Sequence, residues 1–163
     1  MDMTEDINQL VVDIWSSVLQ MSAAPVPPVS RPDEVRLTGF VHISGDWEGT
    51  VTVDCPLPLA ASATAMMFGM EVDEVSKADI DDAIGEITNM TGGGIKSMLE
   101  GSCSLSLPTV IEGASFTVTS LGTEPIHELS YAVEDSWLAV RVLERKDDAA
   151  APAAHEQVAV AGS

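Results

Sequence analysis

An α+β domain, with helices packed on one face of a largely antiparallel sheet, is the fold class that three features of the sequence predict. Apolar residues recur at the helical period in some stretches, others alternate apolar and polar residues at the period of a strand, and hairpin-like turns join several of those strands. The order along the chain is α-β-β-α-α-β-β-β-β. With 163 residues, 45% of them hydrophobic and 20% charged, the chain suits one domain that buries its own core. That domain is assigned to residues 1–146, followed by a tail over 147–163.

Ile7, Leu10, Val11, Ile14 and Val18 form the apolar stripe of a first helix, with Thr4 in the N-cap place. The helix ends before Ala24-Pro25-Val26-Pro27-Pro28, whose prolines predict a stiff linker. Stretches 35–43 and 49–55 alternate on either side of Ser44-Gly45-Asp46-Trp47-Glu48, which predicts a hairpin. A short helix opens at Pro58 and stops at Gly69, a proline start and a glycine end being the expected asymmetry. Ser76-Lys77-Ala78-Asp79 has the form of a capping box with aspartate in the glutamate place, and it launches a long helix. Gly92-Gly93-Gly94 allows a second reading in which that helix stops there. Next, Ser102, Ser104 and Ser106 alternate with Cys103, Leu105 and Leu107, predicting a strand with a wet and a dry face that Pro108 closes. Residues 115–120 predict another strand, and 126–133 with 137–144 a last hairpin across Glu134-Asp135-Ser136. From Asp147 onward the chain is alanine-rich without a sustained apolar period, which predicts a disordered, acidic tail.

The long helix carries the most informative pattern. At about 100° per residue, Ile84, Ile87, Thr91, Ile95 and Met98 fall within about 60° of Ile80, so this side faces the core. Asp82, Glu86 and Asn89, at i, i+4 and i+7, lie almost opposite and face outward together. Gly93 continues their line one turn on. A glycine inside a helix costs about 1 kcal/mol relative to alanine, so its bare surface there suits close approach by another molecule. Lys96, on the same general side, reads as a surface charge.

Net charge narrows the partners. Twenty-six acidic against 7 basic residues leave a formal charge of -19, which repels nucleic acid and anionic membrane. No apolar run approaches the roughly 18 residues needed to cross a bilayer, and the acidic Met1-Asp2-Met3-Thr4-Glu5-Asp6 is unlike a signal peptide, so a cytoplasmic protein is expected. Cys55 and Cys103 sit in strand-like contexts and read as reduced thiols. His42, His127 and His155 lack metal-ligand spacing, and no metal site is assigned. Gly92-Gly93-Gly94 is no phosphate loop, since no strand leads into it and no Gly-Lys-Ser/Thr follows. Trp15 reads as packing, Trp47 and Trp137 as hairpin residues, and Met66 and Met67 as core or interface filler.

Gly85-Glu86-Ile87-Thr88-Asn89-Met90, with Asp82 before it and Pro108 after the next strand, resembles the signature of the CheC/CheX/FliY phosphatases of bacterial chemotaxis. The element order over residues 5 to 145 agrees, and the single full copy of the motif is most similar to the CheX branch. A faint second copy, Asp6-Ile7-Asn8-Gln9, has aspartate and glutamine where the motif has glutamate and asparagine. The resemblance implies a CheC-like fold and a homodimer. It also implies that the chain hydrolyses the phospho-aspartate of a CheY-like response regulator, with Asn89 orienting the attacking water and Glu86 pairing with the regulator's lysine. Asp82 and Gly93 would then contact the partner. No cofactor is expected on this chain, and Mg2+ is expected in the partner receiver domain. The alternative is a non-catalytic module of the same fold that binds a response regulator or the flagellar switch.

Overall fold

The computed structural model of the chain describes residues 2–28, 33–114, 116–120, 122–146 and 158–162. Three helices, α1 (Thr4–Ser17), α2 (Leu57–Phe68) and α3 (Lys77–Met98), pack against a seven-stranded sheet whose pairings are all antiparallel. The sheet runs β1 (Ala23–Val26), β7 (Thr123–Val133), β8 (Ser136–Arg145), β3 (Gly49–Pro56), β2 (Arg36–Gly45) and β4 (Cys103–Leu105), with β5 (Thr109–Gly113) also on β2. A separate two-stranded ladder joins β6 (Phe116–Ser120) to β9 (Val158–Gly162). The predicted α+β class, with helices on an antiparallel sheet, is what the chain adopts.

The core lies between helices and sheet. Ile7, Val11, Ile14 and Trp15 from α1 and Ile80, Ile84, Ile87 and Ile95 from α3 meet Val41, Val51, Val53, Leu138, Val140 and Val142 from the strands. Because α3 is held by this apolar line along most of its length, the opposite side is fixed in orientation. The helix starts where the capping box places it. Ser76 Oγ accepts from the Asp79 amide at 3.1 Å, and Asp79 Oδ2 accepts from the Ser76 amide at 3.0 Å. It runs unbroken through Gly92-Gly93-Gly94, so the reading in which it stops there is set aside.

Two of these glycines are packing residues. A Cβ on Gly92 would stand 2.4 Å from Val41 Cγ2 of β2, and one on Gly94 would stand 2.5 Å from Leu10 Cδ1 of α1. Gly39 of β2 makes the matching approach, where a Cβ would overlap Thr88 Oγ1. One helical turn from Thr88 to Gly92 advances about 6 Å and the step from Gly39 to Val41 about 6.6 Å, so the two elements run in register at close range.

Several expectations are corrected. Met3, not Thr4, is the N-cap position of α1, and it is the Asp2 carboxylate that accepts from the Thr4 amide and hydroxyl at 3.0 and 2.6 Å. The proline-rich linker is in part an edge strand, β1, with Pro25 opposite Tyr131; an edge tolerates proline because its outer side needs no amide donor. Pro108 does not end the pairing after Leu107, since β5 resumes on the same strand β2. Of the tail expected to be disordered, Val158–Gly162 is strand, and the rest lies outside the described residues, as does His155.

Candidate functional site

Asp82 and Glu86 are exposed and Asn89 is half-buried, all on the side of α3 turned away from the sheet. Glu86 and Asn89 are three residues apart in a helix, which sets their Cβ atoms about 5–6 Å apart on adjoining turns. Among the described residues neither side chain makes a hydrogen bond or ion pair. A carboxylate and a carboxamide thus project together, each with its full bonding capacity available to a partner. The rigid rod beneath them removes backbone freedom, which lowers the entropic cost of presenting both groups at once.

Their neighbours come from the sheet edge. Pro108 Cγ lies 3.6 Å from where a Cβ on Gly85 would be, and Leu105 Cδ2 lies 3.9 Å from the corresponding point on Gly93. Residues 105–108 therefore run alongside α3 over the segment that holds Glu86 and Asn89. Unlike Gly92 and Gly94, Gly93 has room for a side chain, so packing does not require a glycine there. Lys96, expected as a surface charge, is half-buried and donates to the Cys103 carbonyl at 3.3 Å, and Lys77 pairs with Asp81 at 3.1 Å. Leu107 is the residue that sequence reasoning misplaced: alternation assigned it to the dry face, yet it is 89% exposed.

The remaining candidates stand apart. In the faint second copy, Asp6 and Gln9 are exposed on α1, with Gln9 Nε2 donating to Asp13 at 2.7 Å, and Asn8 accepting from the buried Tyr131 hydroxyl at 2.7 Å. Cys55 and Cys103 are both free thiols; burial pushes the Cys55 thiol well above its ordinary range. His42 Nδ1 is 3.0 Å from Thr50 Oγ1, and His127 is buried in β7. Among the described residues no group of three or more His, Cys, Asp or Glu could hold a metal ion, and no helix is long and apolar enough to cross a membrane. A cleft of about 380 Å³ opens at the β2–β3 turn, lined by Asp46, Trp47, Glu48, Glu144, Arg145 and Lys146. Arg145 pairs there with Glu48, and Trp47 donates to Glu144.

Solved structures share this architecture. The chemotaxis protein CheX of Vibrio vulnificus is 18% identical with a TM-score of 0.74, over 89% of this chain and 97% of that one. A CheC-like superfamily protein of Shewanella sp. PV-4 is 15% identical with a TM-score of 0.68, over 90% and 100%. CheX of Borrelia burgdorferi, solved in complex with CheY, BeF3 and Mg2+, is 14% identical with a TM-score of 0.62, over 89% and 99%. No curated protein matches the sequence. At these identities the likenesses speak to the fold. Membership rests on the sequence match of residues 37–131, which run from β2 through α3 into β7, to the family described as chemotaxis phosphatase CheX; the chain belongs to that family.

Proposed function

We propose that this chain accelerates loss of phosphate from the phospho-aspartate of a CheY-like receiver domain. The observation that carries the reading is the outward projection of Glu86 and Asn89, unpaired, from one rigid helix. Acyl-phosphate hydrolysis requires a water in line with the bond between phosphorus and the aspartyl oxygen, and stabilisation of charge on the equatorial oxygens. The Asn89 carboxamide offers an acceptor and two donors, enough to hold that water and touch a phosphoryl oxygen. As water adds to phosphorus, the aspartyl oxygen leaves with the bonding pair and the water's proton passes to the released phosphate. Glu86 pairs with the receiver's lysine, fixing the docked register and keeping that cation at the phosphate. Asp82 adds negative charge beside it, and Gly93 leaves room for the partner's backbone. The Mg2+ belongs to the receiver domain and neutralises phosphoryl charge there. A homodimer and a cytoplasmic location complete this reading.

Phosphate lifetime on the host's receiver domains tests it. Wild-type protein shortens the lifetime on at least one of them, and Asn89→Ala loses on the order of 10²-fold of that acceleration, the cost of one transition-state hydrogen bond. Glu86→Lys weakens complex formation through repulsion of the receiver's lysine. Equal acceleration by Asn89→Ala would remove this residue from the mechanism. Binding without any change in lifetime would establish the non-catalytic docking module instead.

A further inference from the structure

Thr88 lies between Glu86 and Asn89 in the chain and is wholly buried, on the side of α3 that meets the sheet. A threonine is an unexpected occupant of that side. Its buried neighbours along the helix are Ile80, Ala83, Ile84 and Ile87, and a hydroxyl carries a desolvation cost that theirs do not. Within α3 that cost is met. Thr88 Oγ1 donates to the Ile84 carbonyl at 2.7 Å, the group that also takes the Thr88 amide in the helix ladder. Thr91 repeats the arrangement three residues on, its Oγ1 donating to the Ile87 carbonyl at 2.8 Å.

Because its proton is committed inside α3, Oγ1 needs no partner on β2 and can rest on bare backbone. At Gly39 it does. A Cβ there would overlap Oγ1 and would fall 3.0 Å from Thr88 Cβ and 3.3 Å from Cγ2, so the oxygen is the foremost atom of this side chain against the strand. Carbon–carbon contacts settle at about 3.5–4.0 Å, and a methyl in the oxygen's place would push this turn of α3 away from β2. Asn89 is the next residue along. A rigid helix turns about 100° and rises about 1.5 Å between the two, so whatever fixes the height and rotation of Thr88 fixes those of the carboxamide.

We propose that Thr88 is a positioning residue whose hydroxyl, seated on Gly39 and bonded to the Ile84 carbonyl, sets the height and rotation of the turn that presents Asn89 to the attacking water. The inference rests on the function proposed above and adds to it a buried residue that acts through Asn89 and touches neither water nor phosphate.

The test uses the whole chain and the host's receiver domains, phosphorylated for turnover and activated with beryllofluoride and Mg2+ for binding. Thr88→Val preserves bulk and burial but sets a methyl against Gly39. Its kcat falls on the order of 10-fold, part of the cost of an error of about 1 Å in a catalytic group, while Kd for the activated receiver stays as in the wild type. It melts no lower than the wild type, since valine is the more apolar core residue. Thr88→Ser gives up the methyl and keeps the hydroxyl, so it melts lower and yet restores kcat. Activity and stability then run in opposite order, which a purely structural role does not produce. In an Asn89→Ala background Thr88→Val costs nothing further, because the pair acts as a unit.

Wild-type kcat in Thr88→Val, a fall in Thr88→Ser equal to that in Thr88→Val, or losses that multiply in the double variant would each overturn the positioning role and leave the Glu86 and Asn89 reading standing. Should Thr88→Val not fold, Thr88→Ala takes its place: kcat below that of Thr88→Ser upholds the role, and equal kcat overturns it. Failure of the wild type to shorten the phosphate lifetime on any receiver would overturn the function itself, and the role of Thr88 with it.

Discussion

Gly92 and Gly93 are adjacent in one helix, and the structure assigns opposite consequences to filling them. Alanine is favoured over glycine inside a helix by about 1 kcal/mol, and the gain is the same at both positions. What differs is the space. A Cβ on Gly93 meets only Leu105 Cδ2, at 3.9 Å, which is ordinary van der Waals contact. A Cβ on Gly92 overlaps Val41 Cγ2 at 2.4 Å, and Val41 is wholly buried in β2, with a branched side chain that has few alternatives. Relief of such an overlap costs about 1–3 kcal/mol. Gly93→Ala is therefore expected to stabilise the fold by nearly the full propensity gain, about 2–4 °C in Tm for a chain of this size. Gly92→Ala is expected to fall below Gly93→Ala by about 1–3 kcal/mol, since the propensity term cancels between them. Urea denaturation followed by far-UV circular dichroism measures both. The same Gly93→Ala protein, titrated with activated receiver domain, should bind more weakly if the bare glycine admits the partner's backbone. Destabilisation by Gly93→Ala would refute the packing argument, and stabilisation with undiminished receiver binding would refute the partner argument alone.

Ser76→Ala removes the side chain that caps α3 at the Asp79 amide and should cost about 1 kcal/mol in a urea titration, with little change in turnover because Glu86 and Asn89 lie about three to four turns away. Burial raises the Cys55 thiol pKa, so less thiolate is available at any given pH; at pH 8 an aromatic disulfide reagent should modify the half-buried Cys103 in the native protein and Cys55 only after denaturant is added.

How much of this was legible in the sequence depended on whether a signal was periodic or positional. The long helix announced itself by an unbroken apolar line from Ile80 to Ile95 and a capping box at Ser76, and the exposure of Glu86 follows from the same periodicity. Elements that depend on a pairing partner were harder to see. β1 contains Pro25, a residue that marks a linker unless the strand is known to be an edge. Between the pairs Ile43↔Leu105 and Phe40↔Thr109 the edge carries three residues, Ser106 to Pro108, against two on β2; this bulge left no trace in the alternation of serines with apolar residues, because one inserted residue breaks the alternation without changing composition. Leu107 was misplaced for that reason. β9 pairs with β6 from a short Val-Ala-Val-Ala-Gly stretch in a segment with no sustained period of its own.

The site's form is itself an argument about where the chemistry resides. An enzyme that carries out its whole reaction gathers its groups in a concave, water-poor pocket, where low dielectric strengthens each interaction. Here the cleft at the β2–β3 turn is lined by side chains that satisfy one another, Arg145 with Glu48 and Trp47 with Glu144. The groups without partners stand on a convex helix instead. Convexity suits a protein that completes another molecule's pocket, since water is expelled only when the two surfaces meet and the projecting amide then becomes part of an enclosed site. The proposed function would then make the rigidity of α3, set by Gly39, Thr88, Gly92 and Val41 at its buried side, a functional requirement as well as a structural one. If Asn89 orients the attacking water as proposed, a misplacement of about 1 Å costs on the order of 10²-fold in rate, so loosening the contact between Gly39 and Thr88 should slow turnover before it unfolds the chain.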